Sequence, residues 1–166
     1  MYEGKILKSW TNFEKILLFG SIILVSTIGI IFKAVEYNND LLVKFYAENG
    51  LEISESKKYF GTDVKSFALL DGEKVAGAIS FSKYKNKNYI EAVAVDKSYR
   101  KKGCGRKLLD KAIEEMGTPV YAISKHDKFY LDYGFQYDDA DLIDNECKTC
   151  SEYNVTCFPK VMVFTR

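Results

Sequence analysis

Apolar positions along this chain fall into short runs, and the spacing within them switches between the strand and helix periods. Asp40 to Asn49 carries Leu41, Leu42, Phe45 and Tyr46 at helical spacing, and Gly50 ends the segment. Ser54 to Phe60 reads as a second helix. Phe67 to Leu70 and Val75 to Phe81 read as a hairpin around Asp71-Gly72. A Lys/Asn turn at 85–88 leads into a strand over 89–95. In Arg106 to Met116, residues Leu108, Leu109, Ala112, Ile113 and Met116 share one helical face, and Gly117 and Pro119 stop it. Val120 to Ile123 predicts a strand, Lys128 to Tyr133 a short helix, Phe135 onward a strand, and Val161 to Thr165 a last strand.

The N-terminal part divides. Ile16 to Phe32 is uncharged and lies between Lys15 and Lys33. Residues 6–24 read as a buried helix. Thr27 to Val35 reads as a strand, because Val25, Thr27, Ile28, Ile30 and Ile31 are β-branched. The whole order is then β-α-α-β-β-β-α-β-α-β-β. It predicts an α/β (α+β) fold: a mixed, mostly antiparallel twisted sheet with helices on both faces. The alternative is a membrane-spanning helix over 16–32, near the lower length limit, which would remove the first strand.

The chain has 166 residues, which suits one domain with a sizeable core. Residues 1–166 are read as a single domain, with an apolar N-terminal segment 6–26 and a cysteine-containing tail 138–166. The net charge of +1 gives no reason to expect a nucleic-acid partner. Its distribution changes the picture. Lys97 to Lys107 holds six basic residues and no acid, and Asp138 to Glu146 holds five acids and no base. No small-residue cleavage site clearly follows the apolar run, so a reducing cytoplasm without disulfides is expected.

The basic run coincides with a turn, Arg100-Lys101-Lys102-Gly103-Cys104-Gly105, between the 89–95 strand and the following helix. The first turn of a helix leaves N–H groups unpaired and its dipole favours anions. Two glycines would let a phosphate approach the backbone. The ligand this predicts is a cofactor bearing a pyrophosphate. The dinucleotide fingerprint would need glycine at 108, which is Leu108, and the P-loop spacing is absent.

Arg-x-x-Gly-x-Gly in this setting resembles the acyl-CoA signature of the GNAT N-acetyltransferase superfamily. A second segment, Phe129-Tyr130-Leu131-Asp132-Tyr133-Gly134-Phe135, is similar to that family's Phe-Tyr-x-x-x-Gly-Phe. The resemblance spans roughly residues 30 to 137. It implies an acyl-CoA-dependent N-acyltransferase with acetyl-CoA as co-substrate. It implies that Val93, Ala94 and Val95 offer backbone groups to the pantetheine arm. Arg100, Lys101, Lys102, Gly103, Cys104, Gly105 and Arg106 would hold the pyrophosphate. Many members place an asparagine before the tyrosine. Here the stretch reads Ile123-Ser124-Lys125-His126-Asp127, so Ser124 is the partial replacement.

Two residues are the catalytic candidates. Glu91 lies among apolar strand residues, and strict alternation places it on the face of Val93 and Val95. Partial burial would raise its pKa toward neutrality and suit a general base, which the resemblance also implies. Tyr130 aligns with the family tyrosine near the CoA sulfur and is the candidate general acid. His126, the single histidine, reads as a surface residue, and Cys104 as a small filler in the turn. Cys147, Cys150 and Cys157 form a thiol cluster with no evident fourth metal ligand, so no metal is expected.

The Ser124 to Phe135 segment and the cysteine tail ending at Met162 resemble amino-acid N-acetyltransferase-like members. That points to a small, amino-acid-like amine as acceptor. The rivals are a non-catalytic acyl-CoA-binding regulatory module, and a membrane-anchored acetyltransferase acting on a protein. A homodimer is compatible with the sequence.

Overall fold

The computed structural model describes residues 30–35, 40–51 and 61–166. Backbone contacts divide the chain into two units, Met1–Ile30 and Ile31–Arg166. The expected helix over 6–24, the apolar segment 6–26, the residues of 16–32 up to Gly29 and the helix over 54–60 all lie outside the described residues. Among the described residues no helix is long and apolar enough to cross a membrane.

Among the described residues seven strands form one sheet: β1 (Ile30–Val35), β2 (Thr62–Asp71), β3 (Lys74–Tyr84), β4 (Lys87–Val95), β5 (Val120–Ser124), β6 (Gln136–Tyr137) and β7 (Lys160–Phe164). Their order across the sheet is β1-β2-β3-β4-β5-β7-β6. The pairs β2–β3, β3–β4, β5–β7 and β6–β7 are antiparallel, and β4–β5 is parallel. The helices are α1 (Asp40–Glu48), α2 (Cys104–Met116), α3 (Lys128–Tyr133) and α4 (Asn145–Thr149). The sheet is therefore mixed and mostly antiparallel, as the pattern predicts.

Alternation along β3 explains how both faces are covered. Ala78 faces one way and packs with Ala92 and Ala94 against Leu42, Phe45 and Tyr46 of α1. The small strand residues leave room for the two aromatic rings. On this face the Tyr46 hydroxyl bonds Ser80 Oγ at 2.8 Å, and Ser66 Oγ bonds it at 2.8 Å, so three buried hydroxyls satisfy one another. Gly77 and its alternate neighbours face α2, which buries Leu108, Leu109, Ala112 and Ile113. A Cβ on Gly77 would lie 3.0 Å from Leu108 Cδ1, so the glycine sets how closely the helix sits.

Two capping arrangements finish α2. Gly103 at φ +79° starts it. At the other end Asn88 Nδ2 donates to the carbonyls of Met116, Gly117 and Pro119 at 3.1, 3.2 and 3.1 Å. The first residues of β4 thereby take up carbonyls that a helix C-terminus leaves without partners.

The expected elements recur with shifted ends. Both hairpin strands run longer than their apolar centres, α2 begins at Cys104, and β6 has two residues. Two elements were not expected. A 3-10 turn over Lys97–Tyr99 is capped by Asp96, whose Oδ1 accepts from Ser98 N at 2.9 Å. Helix α4 is capped by Asp144, whose Oδ1 accepts from Cys147 N at 2.5 Å. Side-chain caps, not apolar periodicity, create both.

Leu108 is fully buried between α2 and β3. Leu108→Ala should cost about 2–5 kcal/mol of stability, because the cavity left over Gly77 cannot close onto a side chain. Urea unfolding of the purified variant checks it.

Candidate active site

The centre of the site is a defect in the sheet. β3 and β4 pair as Ser80↔Ala92 and then Phe81↔Ile90, so the strand register skips Glu91. Glu91 is the extra residue of a β-bulge. The bulge breaks the alternation. Its carboxylate lies on the face of Ser82, which is also the face of Ala92 and of α1. Strict alternation would have put it with Val93, which pairs with Ile79 on the α2 face.

On its other side β4 leaves its neighbour. β4 and β5 pair only at Asn88↔Val120, Tyr89↔Tyr121 and Ile90↔Ala122. β4 remains paired with β3 up to Val95, and β5 remains paired with β7 up to Ser124. Beyond Ile90 the two strands part, and Glu91 to Val95 line one wall of the opening. Val93, Ala94 and Val95 thus border the opening. The Val95 carbonyl is already engaged by Arg100 Nε at 3.0 Å.

Glu91 is half-buried and held by two donors. The Gly61 N–H donates to its Oε1 at 2.7 Å, and Ser82 Oγ donates to the same oxygen at 2.5 Å. A Cβ on Gly61 would lie 1.9 Å from Ser82 Oγ and 2.5 Å from the Lys83 carbonyl. Only glycine lets the chain come near enough to reach the carboxylate.

At the far end of β4 lies the turn into α2. Lys107 is the first residue to close a helical turn, onto the Gly103 carbonyl at 3.1 Å. The amides of Cys104, Gly105 and Arg106 precede it and have no helical carbonyl to bond. No acid lies in this first turn and no side chain caps it. Lys101 and Gly103 both have positive φ, 61° and 79°, which turns the backbone into a concave loop. Nothing lies within 4 Å of a Cβ built on Gly103. Open N–H groups, open space and positive charge fit a pyrophosphate.

The basic side chains are less uniform than their sequence suggests. Lys102 sits over the Tyr99 ring at 5.4 Å, and the Arg106 guanidinium over the Tyr133 ring at 4.9 Å. The Cys104 side chain is buried, so only its backbone faces the loop. Gly105 has a different reason from Gly103. A Cβ there would lie 2.7 Å from Phe129 Cε2, so this glycine admits the ring of the second motif.

Tyr130 is buried among rings. Its centroid is 5.1 Å from Phe129 and 5.1 Å from Phe135, both edge-on. Burial pushes its phenol well above the ordinary tyrosine value. Ser124 Oγ accepts from His126 N at 2.9 Å and shapes the turn into α3, while His126 itself is exposed.

Tyr89 was missed by the sequence reading, although it lies two residues before Glu91 and so shares its face. It is buried and packs on Tyr84 at 5.4 Å. Its phenol is raised by burial, then by the charges of Glu91, Tyr130, Tyr84 and Asp144. Gly61 and Ser82 were also missed, since only tertiary contact reveals them. Tyr84 is raised by burial, then by Asp144, Glu91 and Asp141, so the acidic segment reaches the Glu91 side of the site. Among the described residues no group of three His, Cys, Asp or Glu side chains could hold a metal ion, the tail thiols included.

Comparison with known proteins agrees with this geometry. The model of the acetyltransferase (GNAT) family matches residues 36–135, more than half of the 166-residue chain. No curated protein sequence matches. Solved structures match widely. A Bacillus anthracis protein described as a streptothricin acetyltransferase, in complex with acetyl coenzyme A, is 16% identical with TM-score 0.58, over 82% of this chain and 99% of that one. The ribosomal-protein-S18-alanine N-acetyltransferase of Escherichia coli is 16% identical with TM-score 0.56, over 81% and 90%. N-acetylglutamate synthase of Neisseria gonorrhoeae, complexed with coenzyme A and N-acetyl-glutamate, is 18% identical with TM-score 0.56, over 81% of this chain and 34% of that one. The chain belongs to the GNAT acetyltransferase family, whose members are acyl-CoA-dependent transferases that use acetyl-CoA as co-substrate.

Proposed function

We propose that the chain transfers the acetyl group of acetyl-CoA to the primary amine of a small, amino-acid-like acceptor by direct attack. Glu91 takes the ammonium proton, directly or through water, and Tyr130 protonates the departing thiolate. The observation that carries this reading is the opening between β4 and β5, with Glu91 on its wall and the open amides of the α2 turn at the far end of β4. An undistorted sheet would have favoured a silent acyl-CoA-binding module.

Acetyl-CoA supplies the thioester and a good leaving group. Lys101 to Arg106 hold its pyrophosphate through backbone N–H groups, and the β4 edge holds its arm. Two donors fix the carboxylate of Glu91, so it needs little reorganisation when a proton arrives. Burial keeps Tyr130 protonated through the neutral range.

The acceptor class is supported by charge. After burial, Asp144 and Glu91 raise the Tyr84 phenol, while Asp141 is paired with Lys148 at 2.7 Å; the charge of Asp144 and Glu91 is what favours a cationic amine. N-acetylglutamate synthase, a neighbour in fold, was solved with an acetylated amino acid. The cysteines are thiols, which suits action in the cytoplasm.

Three outcomes follow. Gly103→Val forces a branched side chain into φ +79° and into the cradle, and should weaken acetyl-CoA binding by more than about tenfold, or about 1.4 kcal/mol. Calorimetry on the folded variant decides, and unchanged affinity rejects the cradle.

Tyr130→Phe should lower turnover by at least about tenfold with acetyl-CoA affinity nearly intact. Glu91→Gln should lose rate mainly at low pH, where the acceptor is an ammonium, and recover as pH nears the amine's own pKa. Because burial raises Tyr130, its ionisation should leave no alkaline limb in the wild-type profile below pH about 10. Pre-steady-state rates across pH read all three, and stable variants with wild-type chemistry remove both residues from the mechanism.

Gly61→Ala should cost about 1–3 kcal/mol of stability through its overlap with Ser82 and the Lys83 carbonyl. The folded protein should show the same low-pH rate loss as Glu91→Gln, because the carboxylate loses the donors that hold it. Thermal melts and a pH–rate profile together test this.

A further inference from the structure

The first turns of α2 grip α3 at three points. The Phe129 ring sits on Gly105, where a Cβ would be 2.7 Å from Cε2. The Arg106 guanidinium lies 4.9 Å from the Tyr133 ring centre, and its Nη2 donates to the Asp132 carbonyl at 3.4 Å. The Tyr133 hydroxyl donates to Asp110 Oδ1 at 2.6 Å. Arg106 and Asp110 are four apart on α2, and Phe129 and Tyr133 are four apart on α3, so each helix presents one face to the other.

We propose that Asp110 and Tyr133 are positioning residues that set where the Tyr130 phenol stands relative to the pyrophosphate cradle. Helix α2 carries both the cradle, at Cys104 to Arg106, and the clamp, at Arg106 and Asp110. Tyr130 has no polar tether of this kind. Its ring is held by Phe129 and Phe135, and Phe135 meets Tyr133 at 5.9 Å. Tyr133 also meets Phe164 of β7 at 5.2 Å. The ring cluster is thus anchored to the sheet at one end and to α2 at the other. A cofactor fixed at the cradle and a phenol fixed through the clamp are referred to the same helix, so their separation does not depend on the loop between β5 and α3.

Arg106 has a second role here beyond the cradle. Its side chain turns toward α3 while its backbone N–H remains at the helix start. Tyr133 is pushed up to about 12, by burial first and then by its bond to Asp110, so it remains a donor at every working pH.

This inference rests on the reading of Tyr130 as the acid, and the test separates the two. Steady-state kinetics are measured for wild type, Tyr133→Phe, Tyr130→Phe and the double variant, with thermal melts of each. Tyr133→Phe should lower kcat on the order of three- to tenfold, with KM for acetyl-CoA within about twofold. In the Tyr130→Phe background the same change should have no further effect, since there is no phenol left to place. Asp110→Ala should behave as Tyr133→Phe does. Asp110→Asn keeps an acceptor oxygen and should retain most of kcat. Equal losses from Tyr133→Phe in both backgrounds, or an unchanged kcat, overturn the positioning role and leave ordinary packing. A silent Tyr130→Phe removes the acid itself, and with it the purpose of the clamp.

Discussion

One bulged residue organises this domain. β4 shifts its register on β3 by one residue at the Glu91 bulge and stays paired with it, while it leaves β5 after Ile90. Without the bulge, the strand would present one side of its residues to α1 and the other to α2, and a parallel partner would seal its far edge. The extra residue costs a ladder position and gains an open edge and a carboxylate turned to the α1 side. Two side-chain faces and one backbone edge then meet at a single opening. One side carries Glu91, Tyr84 and Tyr89. The α2–α3 side carries the open amides of Cys104 to Arg106 and Tyr130.

The energetics divide along the same lines. The apolar residues on either side of β3 and β4 support the sheet: Leu42, Phe45 and Tyr46 on one face, Leu108, Leu109 and Ile113 on the other. At the bulge the polar contacts fix a single group. Gly61 and Ser82 both donate to one carboxylate oxygen. The exposed ion pairs, such as Lys128 with Asp132 and Lys111 with Glu115, add little, because water screens them.

Much of the fold is legible in the sequence, because burial there follows simple periods. The amphipathic stripe of α2 and the span Lys128–Tyr133 could be read from spacing and from the flanking glycines. The hairpin strands were read too short, since outer residues such as Thr62, Asp63 and Lys65 are polar and exposed and carry no apolar signal. Helix α4 was missed because an Asp144 cap makes it, within a segment read only as acidic. The site was half legible. Glycines and basic residues mark the cradle, and Phe129-Tyr130 marks the second motif. The face of Glu91 was not legible, since a bulge leaves no mark in Tyr89-Ile90-Glu91-Ala92-Val93. Gly61 was invisible for another reason: its role exists only once residue 82 is beside it.

The two glycines of the turn look alike in sequence and obey different laws. Gly103 answers to its own torsion angle, a requirement internal to the residue, which no change elsewhere can relax. Gly105 answers to a neighbour, the Phe129 ring, which is partly exposed and can be trimmed or moved. Position 105 is therefore negotiable: alanine there becomes acceptable once residue 129 shrinks. In a set of related sequences, position 103 would be a fixed letter, whereas 105 and 129 would drift as a pair.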